Sequence, residues 1–184
     1  VMILYIIGGI VILLVIYVIA VYNQLVGRRN KVKDQASQID IELKRRFDLI
    51  PNLVETVKGY AKHEKETLED VINARNNFNN AEGDLGKELE ANNQLTNAIT
   101  KLFALAESYP DLKANTNFLD LQNQLSSIEE QIAYKRSFYN ETVRIYNDKI
   151  QMFPTNIIAN AFNFKEAEFF KINEDEKANV KVKF

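Results

Sequence analysis

The chain has 184 residues, with 23 Lys plus Arg set against 25 Asp plus Glu, and no cysteine. Balanced charge excludes the basic surface that nucleic-acid binding requires, so nucleic acid is not an expected partner. Lack of cysteine removes disulfides, thiolate nucleophiles and cysteine metal sites together, and it fits a reducing compartment.

The N-terminal stretch is the first predicted element. Residues 1–27 carry no charge, and residues 1–22 are apolar apart from Gly8 and Gly9. A helix of about 22 residues spans roughly 33 Å, the thickness of a bilayer's hydrocarbon core. Tyr5 lies near one end and Tyr17 and Tyr22 near the other, where amphipathic rings favour the interface. A cleaved signal peptide would need a basic start, a shorter apolar core and a small-residue cleavage site. A pilin-like helix would carry a glutamate near its start, and none is present. Residues 1–26 are therefore expected to form a transmembrane helix. Arg28, Arg29, Lys31 and Lys33 follow it directly. The positive-inside rule then predicts a single-pass protein of the bacterial inner membrane, with a very short N-terminus outside and the C-terminal bulk in the cytoplasm. The alternative is that these basic residues are solvated helix positions that touch phosphates without setting topology.

Beyond the anchor, three Pro and six Gly in the whole chain leave long helix-compatible stretches joined by short loops. Val32, Ala36, Ile39, Leu43, Arg46 and Ile50 step by four and three, a heptad-like stripe interrupted at Arg46. No stop signal separates this stripe from the anchor, so one continuous helix is predicted across both. Pro51 should kink that helix or restart it with Asp48 as cap. The pattern resumes with Leu53, Val57, Ala61, Leu68, Ile72 and Arg75, and the polar stretch 76–86 reads as a loop. A third helix is predicted over residues 87–109, with Leu95, Ala98, Leu102, Leu105 and Tyr109 on one face. Pro110 should end or bend it. A fourth begins near Asn117, read as an N-cap with Asp120 in the first turn. Its stripe is Phe118, Leu121, Leu125, Ile128, Ile132, Tyr139, Tyr146, Ile150 and Phe153, with a gap at Lys135. Pro154 closes it, and Thr155 should cap a short last helix through about Phe162.

From Asn163 the helical period is lost. Phe169 and Phe170 can pack on the bundle, 173–178 is polar, and Val180, Val182 and Phe184 alternate like a strand. A lone strand would either fray or pair between subunits, and fraying is the expectation. The resulting fold is all-α: a transmembrane helix continuing into an antiparallel bundle of about four long helices. Residues 1–26 form the anchor, 27–163 the bundle, and 164–184 a tail that is partly packed and partly mobile.

Chemistry-bearing patterns are scarce. A di-iron bundle site needs Glu-x-x-His pairs on two helices, yet the one histidine, His63, has Tyr60 three residues before it. A solvated helix face accounts for His63. Triads and phosphate loops lack their residues too, since Gly83 and Gly86 follow no strand and precede no Lys-Ser or Lys-Thr. No enzyme activity, metal or cofactor is expected. Lys44, Arg45 and Arg46 lie about 27 Å beyond the membrane end along a straight helix, too far for lipid contact across a Debye length of about 8 Å. They read as ion-pair residues within the bundle or as contacts to a neighbouring subunit. Tyr139-Asn140 and Tyr146-Asn147 repeat at seven residues and so share a helix face; Tyr22-Asn23 echoes them. Core packing or a binding site would each use them.

The run Ser37-Gln38-Ile39-Asp40-Ile41-Glu42-Leu43-Lys44-Arg45-Arg46-Phe47-Asp48-Leu49-Ile50-Pro51-Asn52-Leu53-Val54, continuing through Glu55-Thr56-Val57-Lys58-Gly59-Tyr60-Ala61 to His63-Glu64, closely resembles the signature of the LemA family. So do Tyr22-Asn23 with Leu25-Val26, Ala106-Glu107 with Tyr109-Pro110-Asp111-Leu112-Lys113-Ala114-Asn115, and Tyr139-Asn140, Tyr146-Asn147 and Phe153-Pro154. Two departures are Ile41-Glu42, where the family more often has Val-Gln, and Phe47, where a small or polar residue is common. The resemblance implies a single-pass bacterial membrane protein with a cytoplasmic helical bundle and no established enzymatic activity. A relative that acts in forming the magnetosome organelle implies work on membrane architecture. The expected function is a structural protein that self-assembles and organises or remodels the bilayer, its partners being lipid and further copies of itself. Gly8-Gly9 would allow close helix approach in lipid. The alternative is a membrane-anchored adaptor or sensor that binds a separate effector protein.

Overall fold

The computed structural model describes residues 1–81 and 83–170. They form α1 (Met2–Tyr60), α2 (Lys65–Ala81), α3 (Leu85–Ala106), α4 (Pro110–Lys113), α5 (Thr116–Gln151) and α6 (Thr155–Ala161), with no strand among the described residues. Four helices are long, as the periodicity predicts, and α6 is the short last helix expected; the short α4 and the break at 61–64, inside the pattern that runs from Leu53 to Arg75, were not expected. The residues group into two compact units, one of Ala36–Lys135 and one combining Val1–Gln35 with the described residues from Arg136 onward.

Helix α1 runs for 59 residues, about 90 Å at 1.5 Å per residue. Its apolar N-terminal section has a mean hydropathy of 3.0 and none of it is buried within the chain. Burial begins at Val21 and Leu25 and continues in a stripe through Val32, Ile39, Leu43, Ile50, Leu53 and Val57. Pro51 does not restart the helix but lies inside it. Proline has no N–H for the Phe47 carbonyl, but Ile50 and Leu53, both fully buried, hold the helical path on either side. Pro51→Ala should restore that bond at an exposed position. The protein is expected to gain about 1–2 kcal/mol, read as a higher thermal midpoint by circular dichroism. A lower midpoint would show that the bundle packs on a proline-shaped bend.

In the unit of Ala36–Lys135, α2 and α3 are antiparallel neighbours. Lys101 pairs with Asp70 at 3.5 Å and Asn77 donates to Gln94 at 2.9 Å. The polar stretch expected as a loop is helical up to Ala81. Its asparagines are poor helix formers, but Phe78 stacks on Phe47 with ring centroids 3.7 Å apart, and burying that pair outweighs the propensity. Val71, rather than Ile72, faces the core. The turn narrows to the neighbourhood of Gly83, whose φ of 90° suits glycine. Asp84 then caps α3 by accepting from Lys87 N at 3.2 Å, and this bond holds its carboxyl below the usual carboxylate range.

Helix α3 ends at Ala106, and Pro110 opens the short α4 at its first position, where a missing N–H costs nothing. The cap of α5 is Asn115, not Asn117: its Oδ1 accepts from Phe118 N at 3.0 Å. Phe118, Leu121, Leu125, Ile128, Ile132, Tyr139, Tyr146 and Ile150 are all buried, but Phe153 at the end of that stripe is 80% exposed. Thr155 is buried and makes no capping bond, Pro154 standing at the cap position of α6. His63 sits exposed in the turn between α1 and α2, not on a helix face.

Candidate functional site

Two polar assemblies stand out, one in each unit. The first is the residue that breaks the α1 stripe. Arg46 is 2% exposed. Its Nη1 donates to Asn92 Oδ1 at 2.5 Å and Thr96 Oγ1 at 2.9 Å on α3, and pairs with the Glu129 carboxylate on α5. Thr96 Oγ1 lies 3.0 Å from Asn92 O and 3.3 Å from Glu129 Oε1, its single proton serving one acceptor at a time. Burial pushes the Arg46 pKa down while Glu129 pulls it back up; a guanidinium stays charged throughout. Arg46 Nε and Asn92 Nδ2 have no hydrogen-bond partner among the described residues. A cleft of about 260 Å³ opens over this group, lined by Arg46, Thr96, Thr100, Ser126, Glu129 and Glu130 among others.

Two turns of α5 further on, Lys135 fills the gap in the apolar stripe. Its Nζ meets Glu42 Oε1 at 2.8 Å, and Glu42 is itself 7% exposed. Rising numbers on α1 therefore meet falling numbers on α5, which makes the two antiparallel here and ties α1, α3 and α5 into one polar layer. Of the three basic residues singled out in sequence, only Arg46 joins it. Arg45 is exposed and lies 3.9 Å from Glu42 on its own helix, and Lys44 faces solvent with no ion pair among the described residues. Glu42, Asn92, Thr96, Glu129 and Lys135 were not singled out as its partners. The one signal for them was a polar residue at an otherwise apolar stripe position, visible at Lys135.

The second assembly explains the Tyr-Asn repeat. After α6 the chain turns at Asn163, in the left-handed region at φ 56°. Phe164 N bonds back to Ala159 O at 2.9 Å, a Schellman-type stop that buries Phe164. Residues 164–170 then run extended along α5. Asn147 Nδ2 donates to Ala167 O and its Oδ1 accepts from Ala167 N, both at 2.9 Å. Asn140 does the same with Phe170, at 3.0 and 2.8 Å. Tyr146 donates to Lys165 O at 2.9 Å and Tyr139 to Glu168 O at 3.1 Å. Burial raises the pKa of both phenols.

The spacing is a physical match. Seven helical residues rise about 10.5 Å, and three extended residues cover about 10 Å. A motif repeating every seven residues on α5 therefore reads a segment at every third. The repeat is neither plain core packing nor an open ligand site, since the chain's own strap occupies it. Phe170 packs against the Tyr139 ring, tilted by 37° with centroids 4.3 Å apart, whereas Phe169 is 51% exposed. The expectations for 173–178 and for Val180, Val182 and Phe184 lie outside the described residues.

In the same unit, Arg29 sits over the Phe164 ring at 5.1 Å and Tyr22 packs on Phe162 and Phe164 at 4.9 and 5.7 Å. Arg28 is half-buried, while Lys31 and Lys33 are exposed. Among the described residues no cluster of three or more His, Cys, Asp or Glu is placed to hold a metal.

The chain is similar to Protein LemA of Metamycoplasma hominis, 29% identical over 158 residues that cover 86% of this chain and 72% of that one. It is also similar to magnetosome protein MamQ 2 of Paramagnetospirillum magneticum, 25% identical over 82% of this chain. Magnetosome protein MamQ of Magnetospirillum gryphiswaldense is 24% identical over 81% of it. The match spans 64% of the length of either magnetosome protein, just under two thirds. One apolar helix fit to cross a bilayer, together with these relatives, marks a membrane-associated protein. The family comparison covers residues 35–184, most of the chain, and on that match the protein belongs to the LemA family.

Proposed function

We propose that this protein is a non-enzymatic, membrane-anchored structural protein that self-assembles and thereby organises or remodels the bilayer. The observation that carries the reading is α1. Its exposed apolar section continues as the same helix into the bundle. The second support is the use made of the polar groups. Arg46 links Asn92, Thr96 and Glu129 across three helices, an arrangement that specifies helix register. Relatives named as magnetosome proteins fit a role in membrane architecture. The basic residues Arg28, Arg29, Lys31 and Lys33 favour a cytoplasmic bundle beneath the inner membrane.

Full-length protein extracted gently into lipid nanodiscs and weighed by light scattering tests this. The expected result is a particle of several copies that retains lipid. A strictly monomeric species at every concentration would overturn self-assembly, and a stoichiometric second protein would favour the adaptor reading.

A further inference from the structure

The corner that joins α5 to α6 and the strap has a composition unlike the rest of the bundle. Between Lys149 and Lys165 no residue is charged, the longest such run in the chain after the N-terminal one. Within it Phe153 is 80% exposed, and Met152, Ile157 and Phe162 are also exposed. Helix α6 turns Thr155, Ile158 and Ala159 inward, which leaves Ile157 on its outer side. In water this is an unfavourable arrangement: four large apolar side chains exposed within one short stretch of chain that carries no charged residue.

The position of the corner accounts for it. Phe162 packs on Tyr22, the last residue of the apolar run, while Phe164 lies beneath Arg29, one of the first basic residues after it. The corner thus sits beside α1 at the level where the apolar run gives way to charge. Lys149 and Lys165 bracket it, as headgroup-seeking residues bracket an interfacial segment.

We propose that residues 150–164 form a second membrane contact. The corner lies in the interfacial layer of the leaflet that α1 leaves, with Met152, Phe153 and Ile157 among the upper acyl chains and Lys149 and Lys165 at the phosphates. Such a contact reaches about 5–10 Å into the headgroup and acyl boundary. It also gives the unit that holds the anchor a second point on the same leaflet. This rests on reading α1 as the bilayer anchor.

The absence of native cysteine makes a labelling test direct. Full-length Phe153→Cys, Ile157→Cys, Ile10→Cys and Tyr134→Cys variants carry an environment-sensitive fluorophore and are reconstituted into phosphatidylcholine–phosphatidylglycerol liposomes. Labels at 153 and 157 should shift to the blue, and doxyl groups high on the acyl chain should quench them severalfold more than aqueous iodide. The label at Tyr134, 72% exposed and about 28 Å back along α5, should respond to iodide alone. Equal iodide quenching at 153 and 134 would overturn the proposal. So would shielding of 153 from both quenchers with energy transfer between labelled copies, which would assign the patch to a protein–protein interface. The Ile10 label separates the two readings: lipid quenching there with none at 153 leaves the anchor standing and removes the corner. Loss of lipid quenching at Ile10 removes both. Phe153 and Ile157 lie outside the protein core, and matching circular dichroism melts confirm that the labelled variants are folded.

Discussion

Arg46→Ala is expected to destabilise the protein by about 3 kcal/mol, read as a fall in the urea midpoint at unchanged slope. The loss has two parts. Asn92, 1% exposed, is left with a buried oxygen stripped of its charged donor, and Thr96 loses a donor. Glu129 loses its cation too, but its side chain is 38% exposed, so it rehydrates and the effect stays at the low end for a broken buried pair. Arg46→Lys should rescue only in part, because Nη1 alone meets Asn92, Thr96 and Glu129 and a lysine ammonium stops one bond short of that position. Arg46→Met combined with Asn92→Leu should recover most of the stability, since removing both partners removes the orphaned groups. If Arg46→Ala stays within about 0.5 kcal/mol of the parent, the layer contributes nothing to stability. A double-mutant cycle with Glu129→Gln apportions the pair itself.

Asn147→Ala should release the strap while leaving α5 folded. Asn147 is 6% exposed and makes both bonds to the backbone of one residue, Ala167. Removing it strips Ala167 of donor and acceptor at once, an expected loss of about 2 kcal/mol, or roughly thirtyfold faster hydrogen exchange over residues 164–170. Trypsin cleavage at Lys165 should rise in parallel. Asn147→Asp is the sharper variant. It keeps the acceptor for Ala167 N but sets a carboxylate oxygen against the Ala167 carbonyl, so its effect should equal or exceed that of alanine. Unchanged exchange in both would show that Phe164 and Phe170 hold the strap without the amide. Asn140 repeats the geometry one rung along, so a combined Asn140→Ala, Asn147→Ala variant should free the segment entirely.

The strap also shows how a heptad repeat acquires a meaning other than helix–helix packing. Spacing of seven on α5 places Tyr139 over Tyr146 and Asn140 over Asn147, a fact of helix geometry alone. That the face reads an extended segment with a period of three depends on where the chain goes after α6. Asn163 and the buried Phe164 set that direction. Neither residue says so by itself.

Local patterns along the chain are enough to set the class of the protein. An uncharged apolar run of bilayer length, stripes stepping by three and four, and scarce proline and glycine are local regularities, each readable within a few turns of chain. The long helices and their buried faces follow from them, including the continuity of α1 from anchor to bundle. Where several residues could serve one local role, the sequence left the choice open: Asn115 rather than Asn117 caps α5, and Gly83 rather than the asparagines of 76–80 ends α2. Tertiary structure made the second choice because burial of Phe78 against Phe47 is worth more than a preference of a few tenths of a kcal/mol per residue. Only the tertiary structure could assign partners to the polar groups. Arg46 meets residues 46, 50 and 83 positions away, and Glu42 meets Lys135 across 93. A buried charge states in sequence that it needs a partner; which one it finds is decided by helix placement, a long-range property that no local pattern encodes.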